Sequence, residues 1–269
     1  MVCKGRDKIF TIYDLRFTIE LRITIDKHEM FIFAIMPLIF EKKPPSSRIG
    51  VWHILETEIE LKAASRIAPE DLQIAETWKN ESRRKQWFAC RALLAHLLGL
   101  PSVKISYDEH QKPSLDNFSG HISFSHTTEY AAVLVNENDR AGIDIEKLGP
   151  RIERVADRFL QEDELKHISE AAEQQLKKTG LNAGAQGQCH PHTELLYLYW
   201  CSKEALYKYY GKPSIDLKND IHISPFDYFC NSQATFAAMV NVPEGVDNHE
   251  LRFERIGDQM LVYTLSKPE

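Results

Sequence analysis

Several protein classes are excluded by what the chain lacks. Its 269 residues include five cysteines, an odd number, scattered as Cys3, Cys90, Cys189, Cys201 and Cys230. No two have C-x-x-C spacing, so a disulfide framework is not indicated and a reducing compartment is the simpler setting. Cys189, His190, His192 and Cys201 cluster in sequence, but no pair has the spacing of a structural zinc site. The apolar stretch from Met30 to Phe40 is too short for a membrane-spanning helix, which needs about 20 residues, and Pro37 interrupts it. It also lies too far along the chain for a signal peptide. Positive charge is not in excess: 33 Lys+Arg stand against 39 Asp+Glu, a formal net charge of −6. A general duplex-binding protein would present the opposite balance, although a local basic pocket for a small phosphorylated ligand remains compatible with it. Taken together, these absences predict a cytoplasmic protein with no nucleic acid and no membrane among its partners.

What is present suits a folded core. Hydrophobic residues make up 43% and charged residues 27%, and mean hydropathy is −0.36. Such a length and balance allow one domain or two modest ones. Lys42 to Ser47 reads as a polar, proline-containing break, after which Gly50 to Leu55 has strand character. Helices are predicted over Thr57 to Ile67, Pro69 to Trp78 and Glu81 to Leu98, the last stopped by Gly99 and Pro101. Short strands follow at His121 to Ser125, Ala131 to Val135 and Ala141 to Glu146. The second half repeats the order. Helical stretches at Ile152 to Leu160, Glu162 to Lys178 and Glu194 to Tyr210 precede strands at Ile221 to Ile223, Ala234 to Val240, Leu251 to Arg255 and Met260 to Leu265. Thr179 to Thr193 reads as a loop. Helices followed by strands, twice over, predict an α+β fold of two similar halves.

Three groups of residues could carry chemistry. In Asp144-Ile145-Glu146 the two-residue period of a strand puts both carboxylates on one face. Two such charges repel unless a cation lies between them, and Mg²⁺ is a natural partner for carboxylate and phosphate oxygens. Seen alone, the pair reads more readily as two solvated charges at a strand end. Trp200, Glu204 and Lys208 are spaced by four and share one helical face, within a helix crowded with Leu and Tyr. Ser125-His126-Thr127 follows a strand directly, where a hydroxyl and an imidazole could hold a phosphate. No G-x-S-x-G elbow surrounds Ser125, so a serine hydrolase is not indicated. Upstream, Arg84 and Arg91 lie seven residues apart on one helical face and require an anion, a carboxylate or solvent as partner. Lys112-Pro113 offers a further cation in a turn.

Gly142-Ile-Asp144-Ile-Glu146 and Trp200-Cys-Ser-Lys203-Glu204-Ala-Leu-Tyr-Lys208 resemble the two signature motifs of the 4′-phosphopantetheinyl transferases, G-[IV]-D-[IVL]-E and W-[ST]-x-K-E-[AS]-x-x-K. Lys112-Pro113, Phe124-Ser125-His126-Thr127 and Arg158-Phe159 with Glu162 to Leu165 resemble further family segments in the same order. The likeness runs from about Trp52 to Phe226 and is nearest to the larger, Sfp-type members. It implies transfer of the phosphopantetheine arm of coenzyme A to a Ser of an apo acyl or peptidyl carrier protein, with release of 3′,5′-ADP. It also implies a monomeric pseudo-dimer of two α+β halves, each an antiparallel sheet packed with helices, with coenzyme A and Mg²⁺ in the cleft between them. On this resemblance Asp144, Glu146 and Glu204 are metal ligands, Glu204 is the base and Lys208 neutralises the pyrophosphate. Arg91, Ser125 and His126 would hold the 3′-phosphate and Lys112 the nucleotide, with Arg84 a looser member of that set. A non-catalytic coenzyme A or carrier-binding module and a Mg²⁺-dependent pyrophosphate hydrolase are the alternatives.

The sequence departs from the family pattern at three places. Gln111 replaces the Gly of G-K-P, Cys201 stands where Ser or Thr is usual, and Ser123-Phe124 replaces Asn-Ile/Leu. Nothing before Met36 resembles the family. The expected division is therefore a segment over 1–35, either a misassigned upstream extension or an added piece, an N-terminal half over 36–140 and a C-terminal half over 141–269.

Overall fold

The computed structural model describes residues 17–25, 28–36, 38–116, 118–179, 190–229 and 233–265. Cys3, Cys189 and Cys230, Pro37, and most of the predicted loop at 179–193 lie outside the described residues. The fold is α+β, with antiparallel sheets and five α-helices among the described residues.

At the N-terminus the backbone of β1 (Phe17–Ile25) pairs with β2 (His28–Met36) as a two-stranded sheet. The described part of the stretch that begins at Met30 is therefore strand, within β2 up to Met36 and in β3 (Leu38–Lys42). The predicted break at Lys42 to Ser47 is a hairpin turn, because β3 pairs directly with β4 (Ser47–His53). Ser46, with a φ of 57°, makes the reversal.

Helix α1 (Glu58–Ala64) is opened by a capping box, in which Thr57 accepts from the Glu60 amide and Glu60 accepts from the Thr57 amide. Helix α2 is Pro69–Glu76, and α3 (Glu81–Leu98) ends on Gly99 in the left-handed region, φ 65°. Two short strands absent from the sequence reading, β5 (Ile105–Tyr107) and β6 (Pro113–Leu115), form a ribbon around the Lys112 turn. At three residues each they are too short to show a period. Strands β7 (His121–His126) and β8 (Tyr130–Asn136) complete a sheet of order β3-β4-β8-β7.

Strand β9 (Ile143–Lys147) belongs to a second sheet, of order β10-β11-β12-β13-β9. Its other members are β10 (Ile221–Ile223), β11 (Gln233–Val242), β12 (Gly245–Ile256) and β13 (Gln259–Thr264). The predicted helix at Ile152 to Leu160 is instead two 3-10 turns, Pro150–Arg154 and Ala156–Arg158. Val155 leaves helical geometry between them, with φ −121° and ψ 0°. Helix α4 is Glu162–Thr179. Helix α5 (Pro191–Tyr210) starts three residues before the predicted Glu194, because Pro191 occupies its first turn.

Packing explains how the halves meet. One face of the first sheet presents Trp52, Ala131, Val133 and Val135 to α3, where they join Phe88, Leu93 and Leu94 in a buried core. The other face, Ile49, Val51, Ala132 and Leu134, packs on Ile143, Ile145, Leu261 and Tyr263 of the second sheet. That second sheet covers α5 and α4 with a third core that includes Leu195, Leu206, Val240, Phe253 and Val262. The strand alternation of the sequence thus serves two layers at once. No described helix is long and apolar enough to cross a membrane.

Candidate active site

The site forms where β9 passes between β7 and α5. Gly142 permits this closeness, since a Cβ there would lie 2.0 Å from the Ala205 carbonyl oxygen of α5. The helix therefore sits directly on the start of β9 and brings Glu204 and Lys208 to the strand that carries Asp144 and Glu146.

Asp144 is buried, and its two oxygens have different surroundings. Oδ1 accepts from Lys208 Nζ at 2.6 Å and from Ser125 Oγ at 2.8 Å. Oδ2 is buried and has no hydrogen-bond partner among the described residues. Lys208 Nζ also donates to the Ile143 carbonyl at 3.2 Å. Burial opposes the charge on Lys208, but Asp144 and Glu204 outweigh it and hold the ammonium pKa above its usual value. Glu146 accepts from Trp200 Nε1 at 3.3 Å, and the Trp200 ring stands edge-on to Phe159 at 5.0 Å. Burial, with the charge of Asp144, raises the Glu146 carboxyl. Glu204 is pushed further, to about 7, by burial and by Asp144 and Glu146, against the opposing pull of Lys208. Asp144, Glu146, Glu204 and Lys208 thus influence one another's ionisation in a partly desolvated region, the kind of environment in which functional groups are commonly found.

The other predicted residues are placed less uniformly. His126 ends β7 beside this cluster, and its pKa is lowered by the surrounding protein and by Lys208. Ser125 is buried, its hydroxyl engaged with Asp144 and with the Ile145 amide at 3.2 Å. Arg91 is 2% exposed and its guanidinium stacks 3.4 Å from the centre of the Trp87 ring. It donates to Tyr107 Oη at 2.8 Å, while its buried Nε has no partner among the described residues. Arg84 is held in the N-terminal half by a two-point pair with Glu58, at 2.7 and 2.8 Å. Lys112 reaches across to the last turn of α5, where Nζ donates to the Tyr209 carbonyl. Burial, with Arg140 nearby, lowers the Lys112 pKa to about 8.

Two residues outside the sequence-derived site set matter to the geometry. Lys203 is fully buried and pairs with Glu164 at 2.8 Å, also donating to the Ile221 carbonyl at 2.7 Å. It lies in the second motif, so its importance was legible, but its role is to tie α5 to α4 and β10. Ser123 accepts from the Ile143 amide at 3.2 Å; only its place two residues before Ser125 could have signalled this.

The donor set suits a hard divalent cation, since it offers carboxylate oxygens and one of them, Asp144 Oδ2, is a buried acceptor without a donor. Among the described residues no three His, Cys, Asp or Glu side chains stand close enough to hold a metal as they are, and Lys208 is the cation that Asp144 now faces. The two described cysteines, Cys90 and Cys201, are buried thiols. Cys201 Sγ lies 3.7 Å from the Met260 carbonyl.

Residues 140–235 match the 4′-phosphopantetheinyl transferase superfamily. The matched segment contains Asp144, Glu146, Lys203, Glu204 and Lys208. No curated protein matches the chain.

Proposed function

We propose that this chain, whose residues 140–235 match the 4′-phosphopantetheinyl transferase superfamily, transfers the phosphopantetheine arm of coenzyme A to a Ser hydroxyl of an apo acyl or peptidyl carrier protein. The observation that carries the reading is the divided carboxylate of Asp144. One oxygen is saturated by Lys208 and Ser125, and the other is buried and unpaired beside two carboxylates of raised pKa.

In this reading the carrier Ser oxygen bonds to the phosphorus that bears the pantetheine arm, and the bond to the bridging pyrophosphate oxygen breaks. 3′,5′-ADP leaves. Glu204, with a pKa of about 7, is matched to accept the Ser proton near neutral pH, directly or through water. Lys208, from the same helical face, offsets charge on the pyrophosphate and on the departing phosphate. Asp144, Glu146 and Glu204 are the residues that would hold Mg²⁺, which when bound supplies positive charge to the pyrophosphate oxygens. His126 and Arg91 would serve the 3′-phosphate and Lys112 the nucleotide. Arg84, paired with Glu58, contributes to the shape of that wall rather than to its charge. We assign the two halves to 36–140 and 141–269 and place the reaction in the cytoplasm.

Mass spectrometry of apo carrier proteins incubated with the protein, coenzyme A and Mg²⁺ tests the reading. The expected result is a gain of one phosphopantetheine mass on a carrier, reduced by roughly 100-fold or more in Asp144→Asn and Glu204→Gln. Normal coenzyme A binding without labelling of any carrier would leave only a binding module. Release of 3′,5′-ADP independent of carrier would identify a hydrolase.

A further inference from the structure

Strands β7 and β9 are the edge strands of two different sheets, and they lie side by side without a backbone ladder between them. An edge strand buried in this way leaves every second N–H pointing at its neighbour, and a buried unpaired N–H costs about 1–3 kcal/mol. On β9 these donors include the amides of Ile143 and Ile145. Each is met by a hydroxyl from β7: Ser123 Oγ accepts from Ile143 N at 3.2 Å and Ser125 Oγ from Ile145 N at 3.2 Å. Both serines are buried, 3% and 7% exposed. The two-residue period of both strands makes the match, so two serines two residues apart meet two amides two residues apart.

We infer that Ser123 and Ser125 form a hydroxyl seam that docks the N-terminal half on β9, and that Ser125 is thereby a positioning residue for Asp144. Ser125 spends its acceptor capacity on the Ile145 amide and its proton on Asp144 Oδ1, 2.8 Å away. That proton fixes the rotation of the carboxylate. Oδ1 is turned toward Ser125 and Lys208, and Oδ2 is left as the free acceptor. Ser123 occupies the place where the family pattern has Asn, and its oxygen performs the acceptor role that a side-chain amide oxygen could also fill. The seam thus couples the docking of the halves to the orientation of one carboxylate. Its kinetic consequence rests on the transferase reading; the docking itself does not.

The test uses the full chain and two kinds of readout. Amide hydrogen exchange in wild type, Ser123→Ala and Ser125→Ala should show faster exchange of the β9 amides, Ile143 in the first variant and Ile145 in the second, each by about ten-fold. Ser125→Thr, which keeps the hydroxyl, should retain both protection at Ile145 and a kcat near wild type, so loss of either in this variant counts against the hydroxyl's role. In carrier labelling, Ser125→Ala should lower kcat roughly 10- to 100-fold with KM for coenzyme A within about two-fold of wild type. Unchanged exchange at both amides overturns the seam. A rise in KM for coenzyme A at unchanged kcat overturns the positioning role, because it makes Ser125 a ligand of the substrate. If wild type labels no carrier, the transferase reading fails while the exchange measurement still decides the seam.

Discussion

Two backbone positions, Gly142 and Gln111, show how single residues shape this site. Gly142 has no room for a Cβ, which would overlap the Ala205 carbonyl at 2.0 Å. Gly142→Ala therefore has to push α5 away from β9, and a loss of about 3 kcal/mol or more is expected in denaturant unfolding, with loss of the carrier labelling proposed above. Gln111 is the reverse case. It holds a φ of 64°, a region that costs an L-residue roughly 1–2 kcal/mol. Asp108 maintains the turn regardless, accepting from the His110 and Lys112 amides at 2.9 and 2.8 Å. Backbone conformation alone would favour Gly at this position, and Gln111 pays for its side chain in strain. Gln111→Gly should stabilise the protein by up to about 1 kcal/mol after the entropy that Gly adds to the unfolded chain. Thermal unfolding should show a Tm rise of about 2–4 °C, and a lowered Tm would show that the Gln111 side chain does something beyond occupying the turn. The sequence comparison located both positions, but only the dihedral and the distance reveal why one demands Gly and the other merely prefers it.

At the level of elements, legibility followed length and period. Helix α3 has the predicted limits, Glu81–Leu98, because Asn80 caps its first turn and Gly99 ends it. Strand β10 also has the predicted limits, Ile221–Ile223. Strands β5 and β6 were invisible at three residues each, and the 3-10 turns at 150–158 imitate a helix in their apolar spacing. Helix α5 mixes two functions that no motif separates. Glu204 and Lys208 face the site, whereas Lys203 points the other way into a buried pair with Glu164. Glu164 is itself saturated, accepting from the Gln161 and Ile223 amides, each at 3.0 Å. Removing the ammonium leaves a buried carboxylate uncompensated, and such losses run to about 3–5 kcal/mol. Lys203→Met keeps the volume but not the charge, so denaturant unfolding should show that loss with an unchanged m-value. A variant of wild-type stability would show that the pair with Glu164 does not hold α5 in place.

For the whole molecule, the site works against the fold that contains it. Ties between the halves outside the seam include the ion pair of Lys42 with Glu254, that of Lys147 with Glu129 at 2.7 Å, and the hydrogen bond from Tyr209 to Asp139 at 2.8 Å. Packed between the halves, the carboxyl groups of Glu146 and Glu204 have raised pKa values because burial, and after it the charge of Asp144, disfavours their ionisation. A carboxyl raised in the folded state binds more protons there than in the unfolded chain between its two pKa values. The folded protein without divalent cation should therefore lose stability as pH rises from about 4.5, the unfolded value, through about 7, the folded value of Glu204. Above that window the cost of charging Glu204 is present in full. Glu204→Gln removes this titration, so its advantage over wild type should be small near pH 5 and reach about 1–3 kcal/mol near pH 8. Denaturant unfolding of both proteins in EDTA at the two pH values measures the difference directly. A gap between variant and wild type that stays constant with pH would show that Glu204 is not the strained group, and that the electrostatic cost of the site is carried by its neighbours. A gap that opens with pH places the cost on the residue read as the base, which is the expected price of holding a carboxylate where it can take a proton at neutral pH.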